Sequence, residues 1–188
     1  MALDPQVTLL FEQEAERARA AQGGGSLEER RAARQSRPQA AAASVYETED
    51  RVVLGPKTEF KVRIYVPGDK PPYPAMVWIA GGGWSVGDVE STDVRARDFC
   101  HGANCIVISV NYHRMPEHRF PVAAEECYAA LQWAATRGQD WGVDPNRIAV
   151  GGESSGGALA AAVPLMARDR GGPKLVFQLL MTALLDQD

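Results

Sequence analysis

The stretch Arg147-Ile-Ala-Val-Gly-Gly-Glu-Ser-Ser-Gly-Gly157 joins a short apolar run to a helical pattern that carries Ala158, Leu159, Ala162, Val163 and Met166 on one face. A brief apolar run bounded by glycine suits a buried strand, and the 3.6-residue spacing after it suits an amphipathic helix. Read as Gly152-x-Ser154-x-Gly156, the junction has the form of a nucleophile elbow. Glycines two places either side of the serine let the strand-to-helix turn close without side-chain clash and leave the hydroxyl exposed. Ser154 is therefore the candidate nucleophile.

Working outward, the same alternation recurs. Ala75-Met-Val-Trp-Ile-Ala80 is an apolar run followed by a glycine-rich loop and a helix candidate over residues 92–101. Cys105-Ile-Val-Ile-Ser-Val110 precedes a helix over 121–136, with Ala123, Cys127, Ala130 and Ala134 at helical spacing. A fourth run spans 175–181, after the helix over 155–169. Apolar runs alternating with amphipathic helices indicate parallel strands covered on both faces, so the expected fold is α/β with a mostly parallel sheet. Residues 45–54 and 59–66 alternate apolar and polar side chains and predict a hairpin-like pair around Gly55-Pro56.

Residues 1–43 differ in composition, being rich in Ala, Arg, Gln and Glu, and are interrupted by Gly23-Gly24-Gly25. They predict two helices. Asp4 and Pro5 suit the start of the first, and Ser26-Leu-Glu-Glu29 is a capping box for the second. The arginines of the second helix read as a solvated face. The chain thus divides at 43/44 into a helical segment and a sheet domain.

Composition narrows the function classes. With 188 residues, 45% of them apolar, the chain can bury a core without a disulfide or metal staple. A formal charge of −4 argues against a nucleic-acid groove or an anionic membrane surface as partner. Cys100, Cys105 and Cys127 lack Cys-x-x-Cys spacing and read as reduced thiols of a cytoplasmic protein. The amino terminus has no signal-like apolar core, and the nearly apolar run at 175–185 falls short of the roughly 18 residues a membrane span needs.

A second glycine cluster, Ala80-Gly81-Gly82-Gly83-Trp84, follows the run at 75–80 and so lies at the same carboxyl edge of the sheet, where ligands of open α/β folds bind. Acyl transfer passes through a tetrahedral oxyanion, which preset backbone N–H groups stabilise. Gly81 and Gly82 are the candidate donors on this loop, with Ser155, the residue after the nucleophile, as the third. Gly83 and Trp84 are candidate substrate-pocket residues. The alternative is a tight strand-to-helix loop without chemistry. Phosphate binding fits neither cluster: Gly157 stands where a P-loop needs lysine, and neither cluster continues into a dinucleotide fingerprint. No metal or cofactor is expected.

Four ordered motifs carry a family resemblance: Ile79-Ala-Gly-Gly-Gly-Trp84, Asn111-Tyr-His-Arg-Met-Pro-Glu-His-Arg-Phe-Pro121, Asp144-Pro-Asn-Arg-Ile148 and Gly152-Glu-Ser-Ser-Gly-Gly157. Over residues 45–186 the chain resembles the bacterial hormone-sensitive-lipase-like carboxylesterases of the α/β-hydrolase fold. The resemblance implies hydrolysis of short to medium acyl esters by a serine nucleophile, with the residues before the sheet forming a helical cap. The chain departs from the family at several points. Ala80 replaces a histidine that helps hold the oxyanion loop, and Asn111-Tyr112-His113 replaces Asp-Tyr-Arg. Thr182-Ala183 replaces an aromatic-Pro pair, and Glu153 replaces the more usual Asp.

A serine hydroxyl needs a histidine to take its proton and an acid to orient that histidine, in the chain order Ser, Asp/Glu, His for this fold. Here His101, His113 and His118 all precede Ser154, and residues 155–188 contain no histidine. The expected acid and base would follow two further parallel strands, each βαβ step taking about 30 residues. His118 is the best upstream substitute, against a structural role in its loop. The expectation is a carboxylesterase fold lacking its last strands, with nucleophile and oxyanion loop but without the triad's Asp and His, and so inactive as this chain. The alternative is a non-catalytic binding or scaffold protein. In either case the run at 175–180 becomes an exposed apolar edge that invites self-association.

Overall fold

The computed structural model describes residues 25–37 and 39–185. The helix expected to start at Asp4 and Pro5 lies outside them. Helix α1 (Leu27–Gln35) belongs to a unit that ends at Arg37, and the sheet with its helices to a unit that begins at Pro38. The capping box forms as its sequence predicts. Glu29 N–H donates to Ser26 Oγ at 3.2 Å, and Ser26 N–H donates to Glu29 Oε2 at 2.6 Å.

The second unit is a sheet of six strands: β1 (Glu47–Leu54), β2 (Glu59–Val66), β3 (Tyr73–Ile79), β4 (Ile106–Asn111), β5 (Val143–Glu153) and β6 (Phe177–Met181). Helices α2 (Asp93–Gly102), α3 (Val122–Arg137) and α4 (Ser155–Asp169) connect them. The strand order is β1-β2-β4-β3-β5-β6. β1 pairs antiparallel with β2 in the hairpin register Leu54↔Glu59, and β2 antiparallel with β4. The pairs β3/β4, β3/β5 and β5/β6 are parallel.

Alternation along the central strands divides the core between the two faces of the sheet. Val62, Ile64, Val77, Ile79, Ile108, Ile148 and Val150 point to the side where α3 and α4 contribute Cys127, Leu131, Leu159 and Val163. Tyr65, Met76, Trp78 and Val107 point to the other, against Ala96 and Cys100 of α2. Each fully buried large aliphatic side chain contributes about 1.5–3 kcal/mol relative to exposure.

β5 begins at Val143, earlier than the apolar run at 147–150 suggests. Asp144 accepts the Asn146 N–H at 2.9 Å and the Arg147 Nε–H at 2.7 Å, so a polar turn-like segment rides within the strand. Val143 still pairs with Tyr73 across a register shift. β6 lies at the sheet edge; Val176, just before it, and Phe177, its first residue, are 61% and 60% exposed. Among the described residues no helix is long and apolar enough to cross a membrane.

The three cysteines are free and buried. Burial pushes the thiol of Cys105 up to about 11 and that of Cys100 to about 12, and raises Cys127 as well. Only the thiolate is nucleophilic. A disulfide reagent at pH 8 is expected to label none of them promptly in the native chain and all three after denaturation. Prompt native labelling of any one would contradict this packing. Ile108→Ala, in the centre of the sheet, is expected to lower the unfolding free energy by about 2–5 kcal/mol. Val52→Ala, on an exposed face of β1, should stay within about 0.5 kcal/mol by denaturant titration.

Candidate active site

Ser154 lies between the last residue of β5 and the first of α4, with φ 53° and ψ −120°. A non-glycine residue with positive φ is strained by about 1–3 kcal/mol and persists only where its surroundings hold it. Here the main chain does so. Ser154 N–H donates to the Met181 carbonyl at 2.9 Å, and the Ser154 carbonyl accepts from Ala158 N–H at 3.1 Å and Leu184 N–H at 3.3 Å. The carboxyl end of β6 is therefore part of the elbow. The flanking glycines allow contacts closer than any side chain permits. A Cβ on Gly152 would lie 2.2 Å from the Gly156 carbonyl oxygen, and one on Gly156 would lie 2.2 Å from that of Ile79.

The loop after β3 passes directly against this turn. A Cβ on Gly81 would meet the Glu153 carbonyl oxygen at 2.5 Å and Ser154 Cβ at 3.3 Å. Gly82, Gly83 and Trp84 all have positive φ, at 139°, 57° and 55°. Tyr112 Oη donates to the Ala80 carbonyl at 2.9 Å. The Ser155 hydroxyl, fully buried, accepts the N–H groups of Gly82 at 3.1 Å and Trp84 at 3.2 Å. Thus Ser154, Ser155 and the loop residues 81–84 come together at one place.

Trp84 is half-buried and lines an apolar cavity of about 260 Å³ with Met115, Phe120, Ala123 and Leu159. His113 and His118 stand on the same wall. Their rings stack with centroids 4.2 Å apart, and His113 Nδ1 lies 2.7 Å from Glu126 Oε1. Glu126 is 1% exposed and also accepts from His113 N–H at 2.8 Å and Thr58 Oγ1–H at 2.9 Å. Among the described residues no histidine is hydrogen bonded to Ser154. His118, the upstream candidate for a base, is instead part of the stacked pair. Arg95 forms an ion pair at 3.3 Å with Glu153, next to Ser154 in the chain.

Residues 76–188 match the α/β hydrolase fold family. The chain belongs to that family. This α/β hydrolase falls in the hormone-sensitive-lipase-like group of esterases. It is 42% identical over 134 residues to the esterase LipI of Mycobacterium tuberculosis, covering 70% of this chain and 42% of that one. With the carboxylesterase NlhH of the same organism it shares 44% over 124 residues, covering 65% and 39%. Among solved structures it is similar to an esterase from the archaeon Pyrobaculum calidifontis, with a TM-score of 0.80, 32% identity and coverage of 97% and 59%. A thermostable esterase from Pseudomonas putida gives a TM-score of 0.84 at 31% identity, covering 100% and 61%. The chain therefore spans about two fifths of these curated relatives and three fifths of these solved structures.

Three contributors to the site were not singled out from sequence: the Ser155 side chain, the Tyr112 hydroxyl and the Met181 carbonyl. Each acts across a long stretch of chain, and no local pattern signals such a bond. Gly156→Ala tests the elbow packing, since its methyl would collide with the Ile79 and Ala80 carbonyl oxygens. It is expected to cost about 1–3 kcal/mol of unfolding free energy. A variant as stable as the parent in denaturant would contradict that contact.

Proposed function

We propose that this chain carries the nucleophile and the oxyanion donors of a serine hydrolase acting on short to medium acyl esters, with residues 1–43 as its cap. The observation that supports this best is Ser154 held at positive φ between β5 and α4, with the loop of residues 81–84 against it. In the reaction, Ser154 Oγ attacks the ester carbonyl and its proton passes to a base. The resulting oxyanion is met by the Ser155 N–H, at the positive end of α4, and by main-chain N–H groups of Gly81 and Gly82. The Gly82 N–H is already bonded to Ser155 Oγ, so a substrate oxygen would share that donor. Gly83 precedes Trp84 in the loop, and Trp84 lines the 260 Å³ cavity. Its apolar lining favours an acyl chain by about 0.8 kcal/mol for each methylene buried.

In this reading the general base comes from outside residues 25–185; what supports it is that neither His113, paired with Glu126, nor His118, against the His113 ring, is hydrogen bonded to Ser154. The 188-residue chain by itself is expected to show no turnover of p-nitrophenyl butanoate that depends on Ser154. Residues 1–185 can be fused to the part of the NlhH relative that lies beyond the matched region. The folded chimera is expected to hydrolyse that ester, and Ser154→Ala should lower its kcat by about 10⁴-fold or more. A folded but inactive chimera, or Ser154-dependent turnover by the unfused chain, would contradict the assignment.

A second reading is favoured by the 60% exposure of Phe177 on the edge strand β6. In it the chain is a non-catalytic scaffold that pairs with another copy through that edge. Light scattering on the purified chain distinguishes the two, because this reading requires a dimer or larger species and a stable monomer excludes it.

A further inference from the structure

The Ser155 hydroxyl joins the oxyanion loop to the helix that follows Ser154 through two hydrogen bonds. It accepts from Gly82 N–H at 3.1 Å and from Trp84 N–H at 3.2 Å, across 73 and 71 residues of sequence. Two N–H groups from alternate residues converge on one oxygen because residues 82–84 all take positive φ. That conformation costs energy at Trp84, which has a side chain to accommodate, and it needs an acceptor at the focus of the N–H groups. Ser155 is fully buried, so water does not compete for its lone pairs. A serine hydroxyl offers two acceptor lone pairs, and both are directed at this loop.

Main-chain and side-chain bonds also reach the flanks of the loop. Tyr112 Oη donates to the Ala80 carbonyl at 2.9 Å, and Met115 N–H donates to the Trp84 carbonyl at 2.9 Å. Ala80 itself brings no polar side-chain atom to the loop. Gly82 turns back on itself through its carbonyl, which accepts from Ser85 N–H at 3.1 Å and Val86 N–H at 3.0 Å.

We propose that Ser155, through its side-chain hydroxyl, is the positioning residue that latches the oxyanion loop onto the nucleophile elbow. This role goes beyond the backbone N–H of the same residue. It rests on the hydrolase reading only for calling this loop an oxyanion loop. The latch makes loop and elbow one unit, so a displacement of α4 carries the loop residues 82–84 with it.

Amide hydrogen exchange of the 188-residue chain, followed residue by residue by NMR, tests the latch without any need for turnover. In Ser155→Ala the Gly82 and Trp84 amides are expected to exchange at least about tenfold faster than in the parent, the factor that one buried hydrogen bond of ordinary strength supplies. The Val77 and Ile108 amides, in the paired strands β3 and β4, should stay within about twofold of the parent if the effect is local. Ser155→Thr, which keeps a hydroxyl, is expected to restore protection at both loop amides. The proposal is overturned if Ser155→Ala leaves the loop amides unchanged, if the strand amides lose protection equally, or if Ser155→Thr exchanges as fast as Ser155→Ala. Ser154→Ala should leave both loop amides protected. An inactive chimera would therefore sink the hydrolase reading and leave the latch standing, whereas fast exchange in the parent would sink the latch alone.

Discussion

The positive φ of Ser154 is the constraint on which the arrangement around it depends. A right-handed helix cannot start directly from a parallel strand while keeping the first side chain exposed, unless one residue turns the chain sharply. That residue carries the strain, and three main-chain bonds hold it: one to β6, one to the residues after β6 and one within α4. The consequence is that β6 supports Ser154 directly as well as forming the sheet edge. Anything that disturbs the β5/β6 pairing acts on Ser154.

The same constraint explains the crowding of glycine and the absence of bulk near the turn. Gly81, Gly152 and Gly156 let main-chain atoms of β3, β5 and α4 approach to distances that no Cβ tolerates. Ser155 completes the arrangement from inside. Its hydroxyl accepts two hydrogen bonds at a point where the loop has positive φ and the Ala80 side chain carries no polar atom. The stacked histidines and the buried Glu126 belong to a separate network, which ties β4 and α3 to the β1/β2 turn through Thr58.

Much of this was legible in the sequence. Apolar runs separated by helical periodicity placed β3, β4, β5 and β6 and the helices between them to within a few residues, because strands buried on both faces cannot afford polar side chains. The Gly-x-Ser-x-Gly spacing located the elbow because its sterics are local. The start of β5 was hidden because Asp144 and Arg147 satisfy each other and the chain within the strand, giving it a polar appearance. The Ser155 latch was hidden for a different reason. Ser155 and Gly82 lie 73 residues apart in the chain, and a serine after a nucleophile looks the same whether its hydroxyl faces solvent or a loop. The engagement of His113 by Glu126 spans 13 residues, from the Asn111–Pro121 motif into the helix after it, and no local pattern signals it.

The central claim is a preset nucleophile and oxyanion site whose general base lies elsewhere. Incubation of the 188-residue chain with p-nitrophenyl acetate, with and without free imidazole, tests it most directly when the acylated residue is mapped by mass spectrometry. Ser154 Oγ would attack the acetyl carbonyl, imidazole would take the hydroxyl proton, and p-nitrophenolate would leave. The account predicts an acetyl group retained on Ser154, dependent on imidazole and absent from Ser154→Ala. Acetylation of Ser154 that is no faster than that of other serines, or that proceeds equally without imidazole, would contradict it.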